Sequence, residues 1–306
     1  MDLSVVITTK NRKQRLLDCL DSIFQSERTG FSFEVIVIDD FSNDGTEKLG
    51  ETTLQRKFHF PNLFIRHEKT PLKMVKARNL GARLAKGKYI LFIDDDNVIH
   101  PTMIGTLFKF AKDNLKYGIV GPSMYLLHNK KKYLDYQKIN LFNAKTTGFI
   151  GKGAHKAYLS DGIPNVFLVK REVFEKCGYF DERLIQTFTE PDFSLNAKIY
   201  GFETAMCPKA ITYHDIPAAN EPGRSIGSVP AKAYCLIRNR FVIVKRYGNT
   251  LNKLVFILFF SWVWLLIYSF LALREGRRDL VPLYFAGFQD GLYFFLTNRF
   301  RSNIQL

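Results

Sequence analysis

Along the first two thirds of the chain, short apolar runs alternate with stretches whose apolar residues fall at helical spacing. Residues 3–9, 33–38, 88–93, 118–125 and 165–170 are rich in Val, Ile, Leu and Phe, the pattern of strands buried on both faces of a sheet. Residues 62–67 predict a shorter strand, and 203–213 carry short strands. Between them, Leu16, Leu17, Leu20, Ile23 and Phe24 recur with helical period within 13–25. Helices are also expected over 74–85, 101–116 and 190–200, with Pro101 well placed near the start of its helix. The alternation predicts an α/β fold: a mainly parallel sheet covered by helices.

Two regions break the pattern. Residues 126–163 are polar, with Asn129-Lys130-Lys131-Lys132 and a glycine-bearing stretch from Gly148 to Gly153, and are expected to be variable and partly loop-like. Gly151-Lys152-Gly153 follows no clear strand, so it makes a poor phosphate loop. Residues 254–273 are twenty in a row without a charge, long enough to cross about 30 Å of hydrocarbon. Lys245, Arg246 and Lys253 precede this stretch, and Arg274, Arg277 and Arg278 follow it. Both flanks being basic, charge does not choose an orientation. A span, a shallow hairpin with 280–297, and two helices lying in the interface all stay open. The expected division is a catalytic domain over 1–229, with halves at about 1–125 and 126–229, followed by membrane-associated helices over 230–306.

Composition narrows the partners. The chain has 306 residues and is 46% hydrophobic and 14% aromatic, which argues against disorder, and it carries a net charge of +15. Residues 231–306 hold 11 Lys/Arg against 3 Asp/Glu, so +8 of the excess sits in the last quarter. Anionic lipid, an anionic substrate or nucleic acid would each suit that balance. No nucleic-acid motif is present and much of the charge flanks apolar segments, so nucleic acid is not the expected partner. The four cysteines form no CxxC pair and no zinc-ligand spacing, which fits a reducing cytosol. The amino terminus has no basic region before its short apolar run, the pattern of a first strand rather than a signal peptide.

The richest chemistry is where residues 89–93 run into Asp94-Asp95-Asp96. Open α/β sheets bind ligands at the carboxyl ends of their strands. Three adjacent carboxylates repel one another, and a hard divalent cation held between protein and substrate phosphates would relieve that. The triplet therefore suggests a metal–diphosphate site.

Other pieces align with it. They are Val5-Val6-Ile7-Thr8-Thr9-Lys10-Asn11-Arg12; Val37-Ile38-Asp39-Asp40-Phe41-Ser42-Asn43-Asp44-Gly45-Thr46; Ala77-Arg78-Asn79-Leu80-Gly81; and Gly178-Tyr179-Phe180-Asp181-Glu182 with Thr189-Glu190-Pro191-Asp192-Phe193. With the acidic triplet, and in this order, they resemble glycosyltransferase family 2, inverting nucleotide-sugar enzymes of GT-A (Rossmann-like) fold. The resemblance covers about residues 3 to 215. Arg238-Asn239-Arg240 and Phe285-Ala286-Gly287-Phe288-Gln289-Asp290-Gly291 look like the rhamnosyltransferase-like branch.

The resemblance implies roles. Asp40 would accept from a pyrimidine N–H with Thr8 near the base, Asp39 would support the loop, and Asn11 would join the nucleotide-sugar set. Arg78 would meet the diphosphate. Asp94 and Asp96 are the outer members of an Asp-x-Asp pattern for Mn2+ or Mg2+, and Asp95 would contact ribose. Glu190 stands where the family usually has the Asp of a Glu-Asp pair and would be the general base, with Asp192 as the alternative. His214 would face the diphosphate or the metal. Tyr234, Arg238 and Arg240 would face acidic lipid or a diphosphate-linked acceptor. The expected protein is thus an inverting, metal-dependent glycosyltransferase at the cytoplasmic membrane face. It would move a sugar from a nucleotide donor to a hydroxyl of a lipid-linked saccharide, in making cell-surface glycans or glycoprotein precursors. The rivals are a polyprenyl-phosphate hexose synthase, which needs no base, and, from other classes, a basic nucleic-acid-binding protein or a non-catalytic membrane scaffold.

Overall fold

The computed structural model describes residues 1–27, 30–153, 157–216 and 229–301. In chain order the amino-terminal part runs β1 (Leu3–Thr9), α1 (Lys13–Phe24), β2 (Phe33–Asp39), α2 (Glu51–Phe58), β3 (Leu63–His67), α3 (Met74–Leu84), β4 (Tyr89–Asp94), β5 (Asn97–Ile99), α4 (Met103–Asp113) and β6 (Tyr117–Leu126). There follow β7 (Lys132–Leu134), β8 (Tyr136–Asn140), β9 (Lys145–Phe149), β10 (Tyr158–Leu159), β11 (Val166–Lys170), α5 (Arg171–Cys177), α6 (Thr189–Ile199) and β12 (Glu203–His214).

The strands line up as β10-β12-β6-β11-β4-β1-β2-β3. β1 pairs in parallel with β2 and β4, β2 with β3, and β6 with β12, while β11 is inserted antiparallel between β4 and β6. The sheet is mixed, and its longest ladders are parallel. All seven residues of β2 are buried, as continuous apolar strands between helical layers must be. One face packs on α1 and α4 through Leu16, Leu20, Ile104 and Leu107. The other packs on α3, α5 and the later part of α6 through Ala77, Val173, Phe193 and Ala197. After β3 the order doubles back, so that β4 lies on the far side of β1. The carboxyl ends of β1 and β4 are therefore a topological switch point, the place where open α/β sheets bind ligands.

The predicted strands and long helices of this part are present, except that 203–213, expected as short strands, lies in the single twelve-residue strand β12, whose pairing with β6 is irregular between Cys207 and Ile211. The segment 126–163 holds more structure than its composition promises: β8 and β9 form a two-stranded hairpin, and Tyr136 stacks on Phe149 and Tyr158. Its strands are half-exposed, so no apolar run betrays them. α2 was equally faint in sequence because it buries only Leu54.

The carboxyl-terminal part is helical: α7 (Pro230–Tyr247), α8 (Thr250–Val255), a π turn over Phe256–Phe260, α9 (Ser261–Arg274) and α10 (Val281–Thr297). α10 lies tightly along α7, because a Cβ on Gly287 would come within 2.4 Å of the Tyr234 carbonyl oxygen. Phe241, Phe256, Leu265, Tyr284 and Phe288 form the core of the bundle. Thr250–Arg274 is, among the described residues, the one helix long and apolar enough to cross a membrane. Only a fifth of its apolar window is buried (22%), and Leu258, Phe259, Trp262, Leu266 and Phe270 are exposed.

The chain divides into two compact units. The sheet unit comprises 1–138, 148–180 and 193–216, and the helical unit comprises 139–147, 181–192 and 217–306. The helical unit thus takes in the turn that precedes α6 and the first residues of α6 itself.

Candidate active site

In the sheet unit the acidic triplet closes β4 at the switch point, and each carboxylate meets a different fate. α3 approaches β1 so closely that a Cβ on Gly81 would lie 2.3 Å from Val6 Cγ1. Arg78, one turn earlier on the same face, is thereby carried under the end of β4. Its Nη2 lies 2.7 and 2.9 Å from the two Asp94 oxygens. Arg78, expected at a diphosphate, is buried, and this nitrogen is on Asp94.

Asp95 is buried, accepting from Thr9 Oγ1 at 2.7 Å and from Arg12 Nη1 at 2.9 Å. Burial pushes its carboxyl up to about 6, against the pull of Thr9 and Arg12. Asp96 is more open. Arg12 Nη1 reaches it at 3.2 Å, and Asn97 and Asn165 donate to Oδ1. His214 Nε2, at the end of β12, lies 3.4 Å from the same oxygen. Burial raises the Asp96 carboxyl, but His214, Arg12 and Arg15 outweigh it and hold it below the usual carboxylate range. The other His214 nitrogen, Nδ1, lies 2.8 Å from the Tyr133 hydroxyl, which fixes the ring. A metal-ligating histidine commonly has its second nitrogen held in this way.

Among the described residues no group of three or more His, Cys, Asp or Glu is arranged around one point. Asp96 and His214 are a pair. That suits an ion held by one or two protein groups and completed by substrate phosphates and water, but not an all-protein cage. Within those terms the residues fit a divalent cation.

The expected nucleotide residues lie on neighbouring loops of the same unit. Thr8 stands in register with Asp94 on β4 and with Ile38 on β2. Asn11, with φ 52°, links the loops after β1 and β2: its amide N–H donates to Ser42 Oγ at 2.8 Å, and its Oδ1 accepts from Asn43 at 2.7 Å. Asp39 accepts from Ser42 N–H and lies 2.7 Å from His67 Nδ1. Asp40 accepts from the backbone N–H groups of Leu72 and Lys73, and so holds the loop that leads into α3.

Glu190 and Asp192 belong to the helical unit. The turn before them is unusual. Ile185 has φ 64° and ψ −60°, and the N–H of Gln186 donates to Leu184 O at 2.6 Å. That closes a γ-turn of the rare, strained hand, centred on a β-branched residue. Thr187 and Phe188 follow with φ 60° and 59°. Three non-glycine residues in such conformations cost about 1–3 kcal/mol each, and persist only where the surroundings over-determine them. Here α7 does so. Asn239 Nδ2 donates to the carbonyls of Leu184, Gln186 and Thr187 at 3.0, 2.8 and 2.9 Å. Arg238 Nη2 donates to Arg183 O and Leu184 O. Arg246 grips both ends of the segment, with Nη2 on Asp181 at 2.6 Å and Nη1 on Asp192 at 2.8 Å.

The two acids differ accordingly. Asp192 is buried and also accepts from Tyr247 OH at 2.8 Å; burial pushes its carboxyl up while Arg246 and Tyr247 pull it back. Glu190 is half-buried, with Oε2 accepting from Thr189 Oγ1 at 2.7 Å. Arg238 and Arg240 do not face lipid or an acceptor: they are 3% and 5% exposed. Arg240 donates to Ala144 O at 2.6 Å and lies 3.9 Å from the centre of the Trp264 ring. Alternation of charge with apolar residues on α7 hid this, since an arginine on a basic helix looks solvated until its carbonyl partners are known.

Sequence reasoning passed over Arg12, Tyr133 and Asn239. Arg12 ends the first motif, and its position straight after β1 was the available signal. Tyr133 lies in a segment without a strand pattern, and nothing in the sequence pointed to it.

Residues 4–178 match the family model of Glycosyl transferase family 2. The poly(ribitol-phosphate) beta-N-acetylglucosaminyltransferase TarP of Staphylococcus aureus is 28% identical over 125 residues, 39% of this chain and 37% of that protein. The chain spans about a third of the length of the first curated relatives it matches. Among solved structures, S. aureus TarS 1-349 in complex with UDP-GlcNAc superposes with TM-score 0.60 at 16% identity, covering 99% of this chain and 93% of that one. The mannosyltransferase PcManGT from Pyrobaculum calidifontis, in complex with GDP-Man and Mn2+, gives 0.60 at 17%, covering 97% and 87%. At these identities the likeness establishes the fold, which is GT-A.

Proposed function

The chain belongs to glycosyl transferase family 2, and from that premise we propose that it is an inverting glycosyltransferase that uses a nucleoside-diphosphate sugar and a divalent cation. The observation that carries the reading is the Asp96–His214 pair, oriented by Tyr133, at the switch point of the sheet. The UDP-GlcNAc in the TarS complex and the GDP-Man and Mn2+ in the PcManGT complex support the same donor and metal class.

In this reading Asp96 and His214 hold the ion. Mn2+ is favoured over the harder Mg2+ because one donor is an imidazole. The ion's contribution is to neutralise charge gathering on the departing diphosphate. Arg78 acts one step back by holding Asp94, and Arg12 does the same for Asp95 and Asp96. Thr8, Asn11, Asp39 and Asp40 shape the loops that receive the nucleotide.

Glu190 takes the proton of the acceptor hydroxyl as that oxygen bonds to the anomeric carbon. The bond from that carbon to the diphosphate breaks in the same displacement, and the electron pair leaves with the nucleoside diphosphate. One displacement inverts the carbon. Asp192 is committed to Arg246 and Tyr247, which favours Glu190 as the base. The exposed apolar face of Thr250–Arg274 and its basic flanks support work at a membrane surface, and the proposed acceptor there is a lipid-linked saccharide.

The test has two parts. A thermal-shift screen of nucleotide sugars with and without Mn2+ should single out one donor, because a ligand of the native state raises its apparent stability. Glu190→Gln should then lower turnover by about 10²- to 10⁴-fold with donor binding retained. Unchanged turnover would sink the base and leave transfer to an already ionised lipid phosphate, as in a polyprenyl-phosphate hexose synthase.

A further inference from the structure

The geometry points to Asn239, oriented by Arg238, as a positioning residue that holds the turn bearing Glu190 in its working shape; this rests on Glu190 being the base. Three carbonyls of consecutive or near-consecutive residues, Leu184, Gln186 and Thr187, converge on one amide nitrogen. An Asn amide has two hydrogens, so they are shared among the three. The arrangement has one possible sense. Asn239 Oδ1 accepts from Arg238 Nε at 2.9 Å, which leaves Nδ2 to face the turn. Asn239 is fully buried at 0% exposure, so water cannot replace its donors.

The turn does not hold this shape by itself. Ile185, Thr187 and Phe188 all have positive φ, and carbonyls brought together in this way repel unless a donor sits among them. Phe188 leads directly into Thr189, whose hydroxyl binds the Glu190 carboxylate. Asn239 and Arg246 are seven residues apart, two turns along one face of α7. Arg246 therefore fixes the ends of segment 181–192 while Asn239 fixes its middle. A rigid helix, far off in sequence, sets the direction in which Glu190 leaves the backbone.

Asn239→Asp is the test. It keeps the shape and puts an oxygen among the three carbonyls. Hydrogen exchange on the full chain should quicken about tenfold or more at 184–190 while strands β1, β2 and β4 keep their protection. With the donor found in the screen, kcat should fall about a hundredfold, the cost of a small misplacement, with the donor KM unchanged. The decisive reading is the double variant: Glu190→Gln with Asn239→Asp should be no slower than Glu190→Gln alone. A wild-type exchange rate at 184–190, a wild-type kcat, or additive losses overturn the inference. A Glu190→Gln variant at the wild-type rate overturns the base assignment, which is a separate failure. If Asn239→Asp speeds exchange in the strands as well, Arg238→Gln, which removes the orienting donor together with the two Nη2 bonds to Arg183 O and Leu184 O, is held to the same criteria.

Discussion

The acidic triplet and the Glu190 turn are placed by opposite means. Asp94 is the last residue of a regular strand, in register with Thr8 of β1, and Asp95 and Asp96 form the turn that follows, so the sheet itself brings them to the carboxyl end of its strands. Their partners adjust the charge: Arg78 for Asp94, Thr9 and Arg12 for Asp95, His214 for Asp96. The Glu190 turn has no ladder to hold it. Its backbone runs through three left-handed residues, and its carbonyls are satisfied by side chains from a helix some fifty residues later. A site on a strand end inherits its geometry from hydrogen bonds the backbone makes anyway. A site on a strained turn depends on a few specific donors. The first should tolerate substitution structurally and fail chemically, and the second should fail in both ways.

The largest expected effect sharpens that contrast. Asp96→Asn should cost about 10²–10³ in turnover, the scale for losing one preorganised electrostatic contact. It should also abolish the response to Mn2+. The melting temperature without ligand should drop only slightly, because Asn keeps the shape of the side chain while His214, Arg12 and Arg15 lose the charge they favour. Asp94→Asn should lose less turnover and keep its Mn2+ response, since Arg78 already occupies that carboxylate. An Asp96→Asn enzyme that still answers to Mn2+, beside an Asp94→Asn enzyme that does not, would move the ion to Asp94.

On the other side of the comparison, Arg246→Met should act first on stability. It leaves Asp181 and Asp192 without their shared partner, and breaking a buried pair by removing one member is strongly destabilising. With the Arg246 side chain 22% exposed, the expected loss is about 2–3 kcal/mol. At about 2–4 °C per kcal/mol, unfolding of the full chain should start several degrees lower. Turnover should fall with it. A variant with unchanged stability would mean that Asn239, Arg238 and Tyr247 suffice to hold the segment 181–192, and would erase half of the contrast.

The same contrast explains what could be seen in advance. β1, β2 and β4 are apolar runs ending in polar or charged residues, so the sheet and the triplet at a strand end were legible, while the strand order that makes that end a switch point was not. Burial on both faces leaves an unbroken apolar run, a pattern visible in sequence. The Glu190 turn left none. Ile185, Thr187 and Phe188 are not turn residues by type, and no local signal marks a positive φ that only tertiary contacts enforce. The buttress was misjudged for the same reason. Arg238 and Arg240 belong to a strongly basic tail, and their partners are backbone carbonyls, which have no sequence identity. Tyr133, which orients His214, sits in a polar segment whose strands are half-exposed.

The smallest effect comes from the outer face of the helical unit, and it separates holding the turn from holding the membrane. α9 buries Ser261, Leu265, Tyr268 and Ala272, a stripe at helical spacing that packs into the bundle. Leu266 and Phe270 point away and are 66% and 64% exposed, while Trp262, 52% exposed, leans on the ring of Phe288 at 4.6 Å. A helix bound along one side in this way offers the other to a lipid surface, and Lys253, Arg274 and Arg278 at its ends suit anionic headgroups. Leu266→Ser with Phe270→Ser removes two large apolar contacts, each worth up to about 1.5–3 kcal/mol when fully buried. Only part of each side chain would enter the interface, so co-sedimentation with vesicles containing phosphatidylserine should weaken about tenfold. Turnover on a soluble acceptor, hydrogen exchange at 184–190 and the Mn2+ response should all stay as they are. A loss of turnover on the soluble acceptor with vesicle binding intact would mean that the outer face of α9 supports the turn from behind. The apolar surface would then belong to the same buttress as Asn239, and the membrane would need another anchor.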